Sequence, residues 1–313
     1  MKPNCSRRKA LLKMAGWATG GIVSSLASRP FLGLGSTGYA PVLSVQAYIW
    51  IQRLQNEEKS LADGVEEMLA TFKKAGYRNV DLIDGFLGPA LREKTLSLLN
   101  KYELNMPTFY ANSTLHNARL AEHSMRAVIE LAKATKDAGV RGIVTNPSPK
   151  PNQGRKTDEE LNLQARSLNA LGGELQKLGM RLMVHHHTPE LVEDAREWRH
   201  QLANTDPKLV GCCVDVHWAY RGGQEPMAFL REGGDRLESV HLRNSKGGVW
   251  AEDFSDGDVD YRPVAEYLKK CGYRGILVVE LAYEKGTTVT RSLEENLRLS
   301  RLYAEQVFGL GIS

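Results

Sequence analysis

Four polar residues lie at or near the carboxyl ends of successive apolar runs, and a helix-like segment separates each run from the next. They are His185, Asp215, His241 and Glu280. Because the carboxyl ends of parallel strands meet at one mouth when the strands close into a barrel, residues 30, 26 and 39 positions apart could surround one point. Imidazole and carboxylate groups without paired thiolates suit Mn, Zn, Co or Fe ions better than Ca, with Mg as a further alternative. The spacing therefore predicts a divalent-metal site.

Strand periodicity assigns the side chains of these runs to faces. On the run that ends in three histidines, His185 and His187 share one face, and His186 points the other way. On the next run, Asp215 and His217 point together. If Asp215 faces the inside of a barrel, His217 is expected to face it too.

The rest of the chain alternates strand and helix patterns. Eight strands are predicted, over 44–50, 79–83, 105–111, 141–145, 180–187, 209–217, 237–242 and 275–281. Eight amphipathic helices are predicted, over 58–75, 89–101, 120–138, 157–178, 190–203, 225–232, 262–271 and 289–306. Eight of each is the count of a (β/α)8 TIM barrel, which 313 residues accommodate as one domain. A doubly wound open sheet would need a Gly-rich phosphate turn after the first strand, where Ile51-Gln-Arg-Leu-Gln55 stands instead.

The N-terminal segment has the pattern of an export signal. Arg7 and Arg8 precede a weakly apolar stretch that is too short and too rich in Gly and Ser to span a bilayer. Twin-arginine signals have this pattern, and small residues favour cleavage after Ala27. The predicted segments are a signal peptide over 1–27, a linker over 28–43, the barrel over 44–306 and a tail over 307–313. We expect recognition by the twin-arginine export machinery, a periplasmic location and no membrane span in the mature protein, and a disordered basic tail is the alternative.

Removal of that signal changes the charge balance. The whole chain has a formal net charge of +4, and residues 1–27 contain five cations and no acid. The mature chain would therefore have one more acid than bases, which removes the hint of nucleic-acid binding that a pI of about 8.8 gives. The four cysteines, at positions 5, 212, 213 and 271, predict no disulfide framework. No nucleic-acid partner is expected.

Five ordered motifs occupy the C-terminal half of the chain. They are His185-His-His-Thr-Pro-Glu190, Asp215-Val-His-Trp-Ala-Tyr-Arg-Gly-Gly223, Ser239-Val-His-Leu-Arg-Asn244, Asp256-Gly-Asp-Val-Asp260 and Gly272-Tyr-Arg-Gly-Ile-Leu-Val-Val-Glu280. In this order they closely resemble the motifs of the sugar phosphate isomerase/epimerase family, the xylose-isomerase-like TIM barrels. The resemblance covers about residues 44–305 and is weaker in the N-terminal half, where Ala75-Gly-Tyr-Arg-Asn-Val-Asp81 is the main matching stretch.

The resemblance implies one divalent ion that acts on the hydroxyl and carbonyl groups of a sugar or sugar-like acid. Asp215, His241 and Glu280 match metal-ligand positions of the family directly. The fourth ligand is His185, which stands where many members have Glu, or Glu190 a little further along. Of these two, His185 is favoured.

The reaction expected of such a site begins with removal of a carbon-bound proton next to a carbonyl, which needs a positive centre beside the oxygens. The candidate bases are His187, Glu190 and Glu280, with His217 as a further acid or base. His217 and Arg243 depart from the residues usual in the family, which affects the substrate more than the metal. Isomerisation or epimerisation of a sugar is predicted. Elimination from a keto-glycoside by a lyase or hydratase is the alternative, since it begins with the same proton abstraction.

Residues that follow the predicted strands are candidates for substrate binding. They are Tyr48, Trp50, Asn112, Asn146, Trp218, Arg221 and Arg243, with His116 near them. Lys246-Gly-Gly248 follows the seventh strand, where barrels often bind phosphate, but a plain loop is favoured. Because phosphorylated sugars are rarely available outside the cytoplasm, we expect an unphosphorylated sugar or keto-sugar as substrate.

Two other classes of protein are alternatives. An endonuclease IV-like nuclease shares the barrel but needs more metal ligands, a basic DNA-binding face and a cytoplasmic location. A non-catalytic sugar-binding protein has no need of intact metal ligands, and metal analysis would separate it from an enzyme.

Overall fold

The computed structural model describes residues 38–151 and 154–311, and its centre is a closed barrel of eight parallel strands. The strands are β1 Val42–Gln46, β2 Asn79–Ile83, β3 Asn105–Tyr110, β4 Gly142–Thr145, β5 Arg181–Val184, β6 Val210–Asp215, β7 Leu237–Leu242 and β10 Ile276–Val279. They neighbour one another in chain order, and β10 closes the ring by pairing with β1. An antiparallel hairpin of β8 Ser245–Lys246 and β9 Val249–Trp250 follows β7. The predicted (β/α)8 TIM barrel is confirmed, whereas the predicted signal peptide over 1–27 lies outside the described residues.

Ten α-helices lie in the described part of the chain. They are α1 Tyr48–Asn56, α2 Leu61–Lys74, α3 Arg92–Lys101, α4 Ala118–Thr135, α5 Asp158–Lys177, α6 Thr188–Asn204, α7 Val216–Arg221, α8 Pro226–Gly233, α9 Arg262–Lys270 and α10 Leu293–Phe308. Eight of them overlap the predicted helices, and α1 and α7 are additional. None of the helices in residues 38–151 and 154–311 combines the length and the apolar character that crossing a bilayer requires.

Several predicted strands run past the observed ends, as in the fifth, which is predicted to reach residue 187 and ends at Val184. In the first and sixth, a side chain turns the backbone into a helix where the strand ends. The first prediction runs to residue 50, but β1 ends at Gln46, whose side-chain oxygen accepts the N–H of Tyr48 at 2.6 Å. The sixth runs to residue 217, but β6 ends at Asp215, whose carboxylate accepts the N–H of Trp218 at 2.7 Å and caps α7. Aromatic and β-branched residues favour strands, and these local bonds override that propensity. Trp50 therefore lies on a helix and not at a strand end.

The inside of the barrel is filled by side chains of one parity. Tyr110, Val144, Met183 and Cys213 form an apolar cluster, and Ile83 packs against it. Nearer the amino ends of the strands lie fully buried polar side chains, namely Ser44, Asp81, Thr108 and Ser239. Because inward-facing side chains recur every second residue, the positions two beyond Met183 and Cys213 emerge at the carboxyl mouth of the barrel.

A second apolar core lies between the barrel and the surrounding helices. Trp50 on α1 is fully buried and meets Phe72 on α2 edge-on, with ring centroids 6.3 Å apart. Adjacent glycines on α5 meet this core differently. A Cβ added to Gly172 would lie 2.7 Å from the carbonyl oxygen of Leu209, whereas a Cβ on Gly173 would meet nothing within 4 Å.

Alanine substitutions at these two glycines are expected to change the free energy of unfolding in opposite directions. We expect Gly172→Ala to lower the free energy of unfolding by about 1–3 kcal/mol, because the backbone of Leu209 must move. Gly173→Ala should raise it by about 0.5–1 kcal/mol, because alanine favours the helix without a clash. Urea unfolding followed by circular dichroism measures both. Equal shifts in one direction would contradict the close approach of α5 to residue 209.

Candidate metal centre

The four residues predicted to form a divalent-metal site meet at the mouth of the barrel. His185, Asp215, His241 and Glu280 are buried, and each offers a ligand atom within 4.8 Å of those of the other three. Asp215 ends β6 beside His241 of β7, and Glu280 follows β10, its N–H donating to the carbonyl of Leu242. The parallel ladder therefore places these ends side by side, as the parity of the strands predicts.

In each of the two carboxylates, one oxygen lies next to an N–H group of the protein and the other faces an imidazole. Asp215 Oδ1 accepts the N–H of Trp218, while Oδ2 lies 3.9 Å from His185 Nε2. Glu280 Oε1 lies 2.5 Å from Arg243 Nη2, while Oε2 lies 2.6 Å from His241 Nδ1. Outer partners of this kind fix the orientation of ligand side chains in metal sites.

The chemistry of this group fits a divalent cation. Among the described residues, neither ring nitrogen of His185 nor Oδ2 of Asp215 has a hydrogen-bond partner, although all three atoms are buried. Buried polar atoms are rarely left without a partner, because losing water without replacement costs free energy. Two imidazole nitrogens and two carboxylate oxygens form a donor set for Mn, Zn, Co or Fe.

Protonation favours the same role. Burial lowers the pKa of His185 well below its usual value, so its imidazole is neutral at pH 7 and has a lone pair to donate. Burial opposes ionisation of Glu280, but Arg243 and His241 outweigh it and hold the pKa of this carboxyl far below its usual value. His185 thus presents a neutral imidazole and Glu280 an ionised carboxylate, whereas at His241 burial is outweighed by Cys213 and Glu280, which raise the pKa of this residue well above its usual value.

Glu190, the alternative fourth ligand, lies outside this group in the structure. Its Oε2 accepts the backbone N–H of His187 at 2.7 Å at the start of α6, and its Oε1 is buried without a hydrogen-bond partner. Burial, aided by Glu197, raises its pKa to about 7. The geometry therefore gives the fourth position to His185 and leaves Glu190 to fix the backbone of His187.

A cavity of about 310 Å³ opens at the mouth. Of the predicted site residues it is lined by Tyr48, Asn112, His187, Trp218, Arg243 and Glu280. Gln46, Ile51, Ile83, Tyr110 and Trp250 complete its wall. Catalytic and substrate-binding candidates from distant parts of the chain thus share one chamber with a metal-ligand candidate.

Other predicted site residues do not line this cavity. Because β1 ends before Trp50, this residue lies on α1 and its side chain is fully buried in the core. It is therefore not available for the predicted stacking on a sugar. Asn146 is buried after β4, with its side-chain oxygen unpartnered. Arg221 forms a bidentate ion pair with Glu284, at 3.0 and 3.2 Å. Its guanidinium is therefore held by Glu284 and does not face the cavity.

His217 is also absent from the cavity wall, and the expectation that it shares a face with Asp215 is wrong. The strand ends at Asp215, so His217 lies on α7 and its Nε2 is 2.9 Å from Ser245 Oγ. Ser245 donates its only proton to Asp258 at 2.6 Å, which makes His217 the donor to Ser245. Burial lowers the pKa of His217 to about 3, so it is a neutral link between α7 and the β8–β9 hairpin.

Besides the other unpredicted residues of the cavity wall, two residues with polar groups at the site, Tyr110 and His186, are missing from the sequence-based list. Tyr110 ends β3, lines the cavity, and has a buried hydroxyl without a hydrogen-bond partner among the described residues. His186 points away from the cavity, as its parity predicts, and its Nε2 accepts the N–H of Asp215 at 3.2 Å. Tyr110 could have been found from the sequence, because it carries a hydroxyl at the end of a predicted strand. Nothing in the sequence indicates the hydrogen bond between His186 and the N–H of Asp215.

His186 acts as a positioning residue for Asp215. The last ladder pair between β5 and β6 is Val184 with Cys212, so the imidazole provides the next acceptor along β6. Trp198 and Phe229 hold the ring edge-on, each with centroids 4.8 Å away. The backbone that aims the Asp215 carboxylate is therefore fixed by a side chain from the neighbouring strand end.

We expect His186→Phe to weaken binding of a divalent ion about 10- to 100-fold, because it keeps the aromatic packing and leaves the N–H of Asp215 unpaired. His186→Gln should recover part of the affinity, since it restores an acceptor. Titration calorimetry with Mn²⁺ measures the change. Phe72→Leu is the control, since Phe72 packs on Trp50 and not on His186, and it should lower the melting temperature without altering Mn²⁺ affinity. Wild-type affinity in His186→Phe would refute the positioning role.

Solved structures with the same fold include two sugar epimerases. A D-allulose 3-epimerase from Methylomonas sp. matches with a TM-score of 0.71 at 14% identity, over 86% of this chain and 98% of that one. An L-ribulose 3-epimerase matches with a TM-score of 0.70 at 14% identity, over 86% of this chain and 95% of that one. At these identities the likeness concerns the fold alone.

Sequence relatives include dehydratases. An inosose dehydratase from Lactiplantibacillus plantarum is 33% identical over 143 residues, which is 40% of this chain and 47% of that protein. The rhizopine catabolism protein MocC of Rhizobium meliloti is 26% identical over 245 residues, which is 69% of this chain and 74% of that protein. The chain spans about half the length of the inosose dehydratases of L. plantarum and Bacillus licheniformis that it matches.

The family itself follows from a match over most of the chain. The model of a family described as xylose isomerase-like TIM barrel matches residues 64–303, which include all four members of the candidate metal centre. The family resemblance of the five motifs is thereby confirmed. This chain belongs to the xylose isomerase-like TIM barrel family of enzymes.

Proposed function

We propose that this chain is a divalent-metal-dependent sugar isomerase or epimerase that removes a proton next to a carbonyl of an unphosphorylated sugar or keto-sugar. The observation that carries the proposal is the buried group of His185, Asp215, His241 and Glu280, with ligand atoms within 4.8 Å of one another at a cavity that Glu280 also lines. A divalent ion bound there supplies a positive centre that polarises a carbonyl and stabilises negative charge on its oxygen.

His187 is the residue best placed to accept the proton. Its ring lines the cavity, with its centroid 4.7 Å from that of His185 and 5.3 Å from that of Trp218. Burial lowers its pKa to about 4, so the imidazole is neutral at pH 7 and unprotonated at one ring nitrogen. Glu280, by contrast, is held by Arg243 and His241, which suits a ligand better than a mobile base.

A keto-glycoside lyase or hydratase is the second candidate, and Tyr110 favours it. Elimination needs a proton donor for the leaving oxygen besides the base. Tyr110 lines the cavity with an unpartnered hydroxyl, and burial raises its pKa well above its usual value, so it keeps its proton at pH 7. The names of the inosose dehydratases among the relatives support the same outcome.

The loop after β7 supports an unphosphorylated substrate. The backbone N–H groups of Gly247 and Gly248 both donate to Asp258, at 2.9 and 2.8 Å. A phosphate group would need these donors, and a carboxylate already occupies them. This loop therefore has the structure of a tied hairpin and not of an anion-binding turn.

The other classes receive less support from the site. In the described part of the chain, the two groupings that could hold an ion share His185 and His241, so they form one centre and not the multi-ion cluster expected of a nuclease. A non-catalytic sugar-binding protein would have no use for a neutral histidine beside that centre. We also propose export by the twin-arginine machinery to the periplasm, on the basis of Arg7 and Arg8.

The proposed base and the proposed ligands are separable by experiment. We expect His187→Asn to retain Mn²⁺ and to lose roughly 10²- to 10⁴-fold of the exchange of a substrate proton for deuterium, because only the base is removed. Asp215→Ala should lose both Mn²⁺ and exchange, because a ligand is removed. Metal analysis of the purified protein and NMR of keto-sugars in deuterated water measure the two properties.

Asp260→Ala is the matched control, since Asp260 is an exposed carboxylate outside the centre. It should retain both metal and exchange. Full metal occupancy in Asp215→Ala with a wild-type circular dichroism spectrum would remove this residue from the ligand set. Undiminished exchange in His187→Asn would remove His187 as the base.

Export depends on residues outside the described part of the chain. We expect Arg7→Lys combined with Arg8→Lys to leave the protein in the cytoplasm, because the paired arginines carry the signal. Lys9→Arg, in the same segment, should not affect export. Immunoblots of separated periplasm and cytoplasm measure the distribution. Cytoplasmic retention of the unaltered protein would overturn the periplasmic proposal.

A further inference from the structure

The cavity at the mouth has two unlike sides. His187, Arg243 and Glu280, which follow β5, β7 and β10, give one side polar and charged groups. On the other side, α1 and the end of β2 contribute Tyr48, Ile51 and Ile83, beside the uncharged polar groups of Gln46, Tyr110 and Asn112. The cavity therefore offers charge to one end of a ligand and hydrocarbon to the other.

The order of the strands places these sides opposite each other. In the closed ring, β1 is the fourth neighbour of β5, and β2 is the fourth neighbour of β6. Fourth neighbours in a ring of eight strands face each other across the barrel axis. Tyr48 and Ile51, which follow β1, thus face His187, and Ile83 on β2 faces Asp215. A ligand that reaches the candidate metal centre has this apolar wall on its far side.

The apolar wall is open to a ligand. Tyr48 is 37% exposed, and Ile51 and Ile83 are only partly buried. A free sugar presents hydroxyl groups in every direction, and a hydroxyl pressed against isoleucine loses its hydrogen bonds to water without replacement. A hydrocarbon ring in the same place buries apolar surface and can pack on the Tyr48 ring.

Tryptophan does not provide this surface. Trp218 and Trp250 also line the cavity, but the guanidinium of Arg243 lies over both rings, 5.4 and 5.0 Å from their centroids. Because both tryptophan rings contact the Arg243 guanidinium, they belong to the charged side of the cavity. The apolar contact for a ligand is therefore left to α1 and β2.

We propose that the substrate is a small keto-glycoside, with the keto group on its sugar ring, whose apolar aglycone ring packs against Tyr48, Ile51 and Ile83 while the sugar ring lies toward His187 and Glu280. This inference rests on the proposed function, because it takes the charged side as the place of the reacting sugar. A cavity of about 310 Å³ is at the small end of ligand sites and fits a compact glycoside better than an oligosaccharide.

Matched pairs of methyl and phenyl glycosides test the aglycone site. Titration calorimetry with the mature protein measures the affinities for methyl and phenyl β-glycosides of glucose, galactose and xylose. We expect the phenyl glycoside of at least one pair to bind roughly tenfold or more tightly, because a phenyl ring buries far more apolar surface than a methyl group. Ile83→Ser should abolish this preference, because it weakens binding of the phenyl glycoside much more than binding of the methyl glycoside.

Leu302→Ser is the control, since Leu302 is a 40% exposed leucine on α10 outside the cavity. It should keep the phenyl preference. Equal affinity for methyl and phenyl glycosides in every pair, or no binding of any phenyl glycoside, would overturn the inference. A preference that Ile83→Ser and the wild type share would place the aglycone elsewhere and would overturn it too.

The outcome is independent of the test of the proposed function. Deuterium exchange on a free keto-sugar without a phenyl preference would retain the isomerase proposal and reject the aglycone site. A phenyl preference that Ile83→Ser removes, without exchange on any keto-sugar, would retain the site and reject the isomerase proposal.

Discussion

The mouth of this barrel depends on two buried carboxylates that share one buried guanidinium. Asp215, Glu280 and Arg243 are each no more than 5% exposed, and a buried ion without a partner would cost several kcal/mol. Arg243 lies 2.5 Å from Glu280 and 3.4 Å from Asp215, so one cation faces both carboxylates. Despite the burial of Glu280, Arg243 helps to hold its pKa far below the usual value, whereas burial raises the pKa of Asp215. Buried ion pairs of this kind add little to stability. Their effect here is to hold two carboxylates beside the neutral imidazole of His185, in an arrangement that suits a cation site.

That arrangement is a consequence of strand geometry. Asp215 and His241 are partners in the β6–β7 ladder, and the N–H of Glu280 continues the ladder to Leu242. Parallel strands with inward side chains at every second position can place these groups together only at one end of the barrel. His186 extends the pairing of β5 with β6 by one bond beyond the ladder, so the position of Asp215 depends on an imidazole as well as on the sheet.

The parts of the site that lie on strands could be predicted from the sequence. Alternation of apolar and polar residues identifies the strands. Because successive side chains of a strand alternate between its faces, His185 and His186 are predicted to point in opposite directions. The positions of Trp50 and His217 could not be predicted, because the bonds from Gln46 and Asp215 to the following backbone begin α1 and α7. Such bonds depend on side-chain conformations that periodicity does not encode, and so do the contacts between distant elements.

Residues on strands and residues in the segments after the strands also have different places in the site. The candidate ligands lie at strand ends, where the fold dictates their direction. Much of the wall around the substrate comes from segments inserted after the strands: Tyr48 and Ile51 on α1, Trp218 on α7 and Trp250 on the β8–β9 hairpin. Segments of this kind vary more freely than strands, because they support little of the core. One set of strand-end residues can therefore serve different substrates within a family, and helices and hairpins that the strand pattern does not reveal determine the choice among them.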